Sequence, residues 1–413
     1  MNKTILLIGA LDTKGEEFAF VKQIIENNGF NTLLLDTGIL GEPIVSPDIS
    51  SDDVAKAGGE TLKRLRKRGD RGFAVDVMIH GVRKLIPELY EKGQFAGVLS
   101  LGGGAGTNIA TAGMRELPVG VPKLMVSTLA SSDVSPFVDI KDITMMYSVV
   151  DIAGLNKLSK TILSNAAGAI CGMVSQSVSE SAYRPLIAAT MFGVTTPYVT
   201  TVREILEKAG YETAIFHATG SGGRAMEGLI RDGYFAAVAD LTTTEWCDEV
   251  AGGVLSAGPH RLEAAAKAGI PQVVSVGALD MVNFHAMSTV PEKFRNRKLY
   301  KHNPTVTLMR TTPEECAEIG KRISEKLNMS AAPVVLMLPL KGVSALDREG
   351  QPFHDPAARE ALFNSLKNYC GKNVTINEMD FHINDPEFGV ATANELLTLL
   401  GGSGTGNVEE IRK

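Results

Sequence analysis

Three stretches in the first half of this 413-residue chain recur, in the same order, beyond its middle. FVKQIIENNGFNTLLLD from Phe20 aligns with TVREILEKAGYETAIFH from Thr201 at an offset of 181. GQFAGVLSLGGG from Gly93 aligns with GYFAAVADLTTT from Gly233 at 140, and GVPKLMVS from Gly120 with GIPQVVSV from Gly269 at 149. Matches in register across helices and strands require two copies of one α/β unit. The copies part where one strand ends: Gly102-Gly103-Gly104-Ala105-Gly106-Thr107 in the first, Thr242-Thr243-Thr244-Glu245-Trp246-Cys247-Asp248-Glu249 in the second. Open α/β sheets bind ligands beyond the carboxyl ends of their strands, so this divergence is the first place to look for function.

Length asks for the same division, since 413 residues exceed one ordinary core. The expected domains are 1–180, a Rossmann-like nucleotide-binding domain, and 181–413, a second Rossmann-like domain on the substrate or partner side of a cleft. Hydrophobic content of 44% with 21% charge predicts a well-buried protein, with disorder confined to the tail GGSGTGNVEEIRK. A net charge of −6 argues against general nucleic-acid binding, which needs dense positive charge. The basic run Lys63–Arg68 stands against that balance and reads as a solvated helix face or subunit contact, with anion or nucleic-acid contact as the alternative. Cysteines 171, 247, 316 and 370 are far apart and form no CxxC pair, which fits a reducing cytoplasm and neither a disulfide scaffold nor a structural zinc. The opening MNKTILLIGA, followed by Asp12 and Lys14, is too brief an apolar run for a signal segment or a membrane span.

Short apolar runs alternate with helical periodicity along the whole chain. In the first copy, strands are expected at 4–9, 33–36, 96–101, 123–126 and 143–149, and helices at about 16–28, 52–68, 73–92, 106–116 and 155–173. The second copy reads as strands at 186–192, 213–217, 236–241, 272–277, 305–310, 334–340 and 374–378, with helices at about 198–209, 222–231, 259–268, 313–327, 355–369 and 388–400. Such alternation means doubly wound, mainly parallel sheets covered on both faces, two of them related by internal duplication.

VLSLGGGAGTNIAT places glycines between a strand and a helix. Without Cβ atoms the backbone can approach a ligand, and the free N–H groups of the helix start face an anion. Gly102, Gly103, Gly104, Ala105, Gly106 and Thr107 are therefore a candidate phosphate cradle; the competing reading is a tight turn with close packing. No lysine follows as in GxxxxGK[ST], so that motif's chemistry does not transfer. A second cluster, Gly220-Ser221-Gly222-Gly223-Arg224, opens another helix and adds a guanidinium suited to phosphate or carboxylate. Alone this cluster reads equally as a plain turn; two such loops suggest one extended ligand between the domains. At the first strand-to-helix junction, Thr13 adds a hydroxyl, Lys14 is a candidate point charge for phosphate, and Asp12 or Asp36 a candidate acceptor for ribose hydroxyls. The acidic loop offers Glu245, Asp248 and Glu249 at spacings of three and four, able on one helix face to hold a divalent cation or act as general base; a capped helix start is the plainer alternative. His260 and Lys341 fall at further loop positions on the expected rim and complete the candidate catalytic set, with no metal ligands assignable.

At LSLGGGAGTN, SAGPHRLEAA, GALDMVNF, HNPTVTLMRTT and LPLKGVSALD the chain resembles a family of uncharacterised bacterial proteins related to the ATP-binding N-terminal domain of the tomato mosaic virus resistance protein. The resemblance covers nearly the whole chain and implies a two-subdomain Rossmann-like protein, ATP as ligand, and a dimer or higher assembly, with ATP carried onto Gly102–Thr107. It brings no catalytic assignment. The expectation is a cytoplasmic, homo-oligomeric ATP-binding protein, with Mg²⁺-dependent phosphoryl or adenylyl transfer to a small carboxylate as the candidate chemistry. The alternatives are a noncatalytic nucleotide sensor and a metal-assisted hydrolase or lyase using His260, His285, His302 and the acids.

Overall fold

The computed structural model describes residues 3–176 and 184–401. The stretch around residue 180 and the tail beyond 401 lie outside the described residues. The chain divides into two compact units, Met1–Glu180 and Ser181–Lys413.

The first unit runs β1 (Thr4–Gly9), α1 (Leu11–Asn27), β2 (Asn31–Asp36), α2 (Ser51–Ala57), α3 (Leu62–Arg68), α4 (Arg71–Glu91), β3 (Gly97–Gly102), α5 (Gly104–Met114), β4 (Lys123–Ser127), α6 (Ser135–Val138), β5 (Thr144–Tyr147) and α7 (Lys157–Ser175). Its five strands are all parallel in the order β2-β1-β3-β4-β5. Side chains alternate across a strand, so β1 feeds both faces. Leu6 and Ile8 join a core with Met78, Val82 and Ile109 from α4 and α5. Ile5 and Leu7 join another with Phe18, Val21 and Ile170 from α1 and α7.

The second unit runs β6 (Leu186–Met191), α8 (Thr196–Lys208), β7 (Glu212–His217), α9 (Ser221–Arg231), β8 (Ala237–Thr242), α10 (Glu245–Ala251), α11 (Ala264–Ala268), β9 (Gln272–Gly277), β10 (Met281–Phe284), β11 (Leu299–Asn303), β12 (Val306–Arg310), α12 (Pro313–Leu327), β13 (Val334–Pro339), α13 (Pro356–Tyr369), β14 (Val374–Met379) and α14 (Pro386–Leu399). Its main sheet, β14-β13-β9-β8-β6-β7, is also parallel throughout. Ile187 and Ala189 face α8 and α14, while Ala188 faces the α9 and α11 side.

Both sheets thus share one winding, in which the second strand lies outside the first and the third begins the other direction. This is the doubly wound, duplicated α/β architecture that the repeats require, and its switch point lies between the first and third strands. The drop in offset from 181 to 140 means the first copy carries 41 residues between its second and third strands that the second copy lacks. They form the loop after β2, α2 and α3.

Four local expectations are corrected. The helix expected over 52–68 is two helices, because Gly58 and Gly59 interrupt it, Gly59 with φ of +93°. Helix α1 begins at Leu11, five residues early, and accommodates the change at Lys14, whose φ of −126° is non-helical. The helix expected over 259–268 is confined to Ala264–Ala268. Strand 305–310 belongs to a separate antiparallel sheet, β10-β12-β11, whose other two members were not foreseen. Strand β10 has four residues, too few for a pattern, and β11 (LYKHN) is an exposed polar edge.

Candidate functional site

At the first unit's switch point, α1 and α5 leave adjacent strands toward opposite faces and open a crevice at their N-termini. A cavity of about 750 Å³ fills it, walled by Ile39, Leu40, Leu65, Ala74, Val75 and Ile109. Most of that wall comes from the 41-residue excess and from α4. A second chamber of about 260 Å³ lies over Gly102–Gly106 and adds Asp151. Ala10, Thr13, Lys14, Arg71, Ala105 and Gly106 line both. The site is therefore bipartite, with an apolar chamber opening onto a polar one.

The glycine loop itself sits at the β3–α5 junction. Gly103 is the N-cap, without a side-chain cap, so the first-turn N–H groups of α5 have no intrahelical acceptor. Packing explains one of these glycines: a Cβ on Gly102 would stand 3.2 Å from Gly106 Cα. The others are not demanded by the chain's own packing. A Cβ would meet only Thr128 Oγ1 at 3.7 Å from Gly103, Leu129 Cδ1 at 3.9 Å from Gly104, and Leu101 O at 3.9 Å from Gly106. None has a positive φ. What their bareness keeps free is the chamber above the backbone.

Neighbouring candidates divide. Thr13 lines both chambers, and the Lys14 ammonium donates to the Ile152 carbonyl. Thr107 is fully buried and hydrogen-bonds Ser127 Oγ at 2.7 Å, so its hydroxyl faces the core and not a ligand. Asp36 is 1% exposed, accepting from Leu11 N at 2.9 Å and Gly38 N at 2.8 Å; burial raises its pKa above the usual carboxylate value, against which these hydrogen bonds pull. It locks β2 to the start of α1 and does not reach a ribose. Asp12 Oδ2 accepts from Leu40 N at 2.8 Å and Gly41 N at 3.0 Å, while Arg66 donates to the carbonyls of Ile39 and Gly41 at 2.8 and 2.6 Å. Together they fasten the loop that roofs the apolar chamber. Arg66, one member of the basic run, is thereby bound into the first unit's own fold.

In the second unit the glycine loop after β7, Gly220–Gly223, is closed from within. Glu245, fully buried, sends Oε1 to Gly220 N at 2.7 Å and Gly223 N at 3.1 Å. A Cβ on Gly223 would lie 2.2 Å from Glu245 Oε2, and one on Gly222 1.9 Å from the His217 carbonyl. The loop is an anion cradle, and its anion is the protein's own carboxylate. Gly220, Gly222 and Gly223 are thereby explained by packing, and Ser221 and Arg224 lie exposed on α9. Glu245 is held in turn by Arg261, 1% exposed, whose Nε donates to it at 2.7 Å. The same guanidinium grips both oxygens of Asp240 at 2.5 and 2.7 Å and reaches Glu227 at 3.2 Å. Burial disfavours the Arg261 cation, yet the Asp240 and Glu245 carboxylates carry its pKa above the ordinary value.

The remaining catalytic candidates are not brought together. Asp248 is buried and accepts from Asn283 N at 2.9 Å and Asn283 Nδ2 at 2.8 Å, and burial pushes its pKa up to about 7. Glu249 is tied to the Ser256 hydroxyl. His260 is exposed beside Glu263 at 3.2 Å, and Lys341 is exposed in a pair with Asp380 at 2.9 Å. His285 and His302 are exposed too. No group of three or more His, Cys, Asp or Glu among the described residues is placed to hold a metal ion. Glu245 and Asp248 form no shared acidic face, because both turn inward and bond different elements.

Arg71, Asp151 and the apolar wall were not anticipated. The change in repeat offset marked the segment that supplies much of that wall. Nothing local announces that Arg71 returns to a glycine loop more than thirty residues away.

A family model described as the uncharacterised protein family UPF0261 N-terminal domain matches residues 3–179, and its C-terminal counterpart matches 184–400. A UPF0261 protein of Clostridium tetani is 56% identical over 402 residues, covering 97% of this chain and all of its own. The ToMV resistance protein Tm-1(GCR237) of Solanum lycopersicum is 38% identical over 420 residues, covering 96% of this chain and 55% of its own. Among solved structures, a UDP-N-acetylglucosamine 2-epimerase from Rickettsia bellii is 9% identical across 100% of this chain and 98% of its own, with a TM-score of 0.24, too weak a likeness to carry any argument.

Proposed function

This chain belongs to the uncharacterised protein family UPF0261, and we propose that its first unit binds ATP, with the base and ribose in the apolar chamber and the phosphates over Gly103–Gly106. The observation that carries this reading is the bare backbone of Gly103, Gly104 and Gly106 beneath a cavity at the switch point, where the fold would accept side chains and has none. An apolar chamber with a few convergent polar groups is the usual form of a small-ligand site. The proposal includes a homo-oligomer in a reducing cytoplasm, the latter supported by four free cysteines.

Phosphoryl or adenylyl transfer has less support. Glu245 and Asp248 are buried in structural bonds in the second unit, so the acidic loop is not available to Mg²⁺ as it stands. This favours nucleotide binding as the activity itself, with a regulatory output, over transfer to a carboxylate substrate.

Titration calorimetry of the full chain with ATP and Mg²⁺, followed by phosphate and AMP assays on the same sample, tests the reading. Saturable binding is expected. Gly104→Val directs its extra carbons into the polar chamber, since a Cβ there meets only Leu129 at 3.9 Å; affinity is expected to fall at least tenfold, about 1.4 kcal/mol. Undiminished ATP affinity in a folded variant rejects the cradle.

A further inference from the structure

Several charged groups surround the bipartite cavity, and most are committed. Lys14 donates to the Ile152 carbonyl, and Arg66 to Ile39 and Gly41. Asp12 accepts from Leu40 and Gly41. Asp70 caps α4, accepting from Phe73 N at 3.0 Å, and pairs with Arg68 at 3.3 Å. Asp151 accepts from its neighbour Ile152 N at 2.8 Å. Arg71 differs. It is exposed, it lines both chambers, and its side chain makes no ion pair or hydrogen bond among the described residues. Its backbone is nevertheless fixed, because it is the first residue of α4 directly after the Asp70 cap.

A guanidinium tethered at the junction of an apolar and a polar chamber has a definite chemical complement. It presents planar, bidentate donors that match phosphate oxygens, and it stays charged at every working pH. The first-turn N–H groups of α5 attract an anion of any size, whereas a cation lining the same chamber favours a ligand that carries more than one negative charge. We infer that Arg71 sets the charge preference of this site, selecting a nucleoside polyphosphate over the monophosphate or the free nucleoside. The inference rests on the nucleotide reading of the cavity and adds the residue that reads the phosphate chain.

The test is equilibrium binding of ATP, AMP, adenosine and inorganic tripolyphosphate to the full-length wild type, Arg71→Gln and Arg71→Lys. An exposed side chain without partners is expendable for folding, so thermal midpoints should agree within about 2 °C. For Arg71→Gln, ATP and tripolyphosphate affinity should fall about 10- to 100-fold while adenosine stays within about twofold, so that the ATP-to-adenosine ratio collapses. Arg71→Lys should recover part of the loss and retain the steep salt dependence. Equal losses for ATP and adenosine would indicate a structural role and overturn the inference, as would unchanged ATP affinity in Arg71→Gln. A wild type that binds tripolyphosphate through Arg71 but neither ATP nor adenosine would sink the nucleotide reading alone; one that binds none of the four overturns both.

Discussion

Replacing Arg261 with methionine keeps most of the side-chain bulk and removes the one cation among three buried carboxylates. In the native unit that guanidinium holds both oxygens of Asp240, one of Glu245 and one of Glu227. Each carboxylate keeps other partners: Thr190 for Asp240, Gly220 and Gly223 for Glu245, Leu262 and Ala264 for Glu227. What they lose is the compensating charge. Breaking a buried ion pair from one side costs about 3–5 kcal/mol because the remaining charge stays buried, a large part of a total stability of about 5–15 kcal/mol. At about 2–4 °C per kcal/mol for a unit of this size, the midpoint should fall by roughly 6–20 °C. The chain's single tryptophan reports on this place: Trp246 adjoins Glu245 in sequence and is 1% exposed in the second unit's core. Urea titrations followed by its fluorescence at pH 5.5 and 8 measure the deficit. Burial already raises the Glu227 pKa, and without the cation its carboxylate favours the neutral form further. A group whose folded pKa is raised loses stabilisation as pH climbs, so the deficit should be larger at pH 8, by about 1.4 kcal/mol for each pKa unit of added shift. Adding Asp240→Asn should recover part of it. A deficit below about 1 kcal/mol at pH 8, or one that ignores pH, refutes the reasoning.

Gly106→Ala should be as stable as wild type or gain about 0.4–1 kcal/mol in thermal melts, because the new Cβ meets only the Leu101 carbonyl at 3.9 Å and the unfolded chain loses freedom; a loss would show that the turn itself demands the glycine. Asp248, with its pKa raised from 3.8 to about 7, ionises in the unfolded chain well before it does in the folded one, so its contribution declines as pH rises from about 4 to 7. Asp248→Asn should remove a slope of up to about 1.4 kcal/mol per pH unit across that window, read by urea titrations at pH 5 and 7, with the buried, unpartnered Asn283 Oδ1 available to accept from the new amide once its own amide rotates. An unchanged slope would place the titration elsewhere.

Much of the architecture could be read directly because buried parallel strands are continuous apolar runs. TILLIG, AGVLSL and VVLMLP declare themselves whatever surrounds them, since both faces of such strands are covered. The offsets between repeats carried the duplication, and the matching strand orders express it in three dimensions. Boundaries set by local chemistry were harder: Gly58 and Gly59 end a helix whose apolar pattern continues, and β10 was short enough to merge with its turn.

The two glycine loops mark the limit. In sequence each is a run of glycines between a strand and a helix, and local physics grants both the same backbone freedom and the same exposed N–H groups. Which one stays open is decided by residues far along the chain. Around Gly220–Gly223 the fold brings Glu245 and then Arg261, twenty-two and thirty-eight residues beyond Gly223, so the cradle is filled and its charge neutralised in place. Around Gly103–Gly106 it brings Arg71 and an apolar wall, and among the described residues no carboxylate caps the start of α5. The sequence by itself determined the strands, the duplicated winding and the strand edge where the switch-point crevice opens, because these follow from local hydrophobic pattern and chain order. Only the tertiary structure decided which copy keeps an open site, because occupancy of an anion cradle depends on where distant charges come to rest.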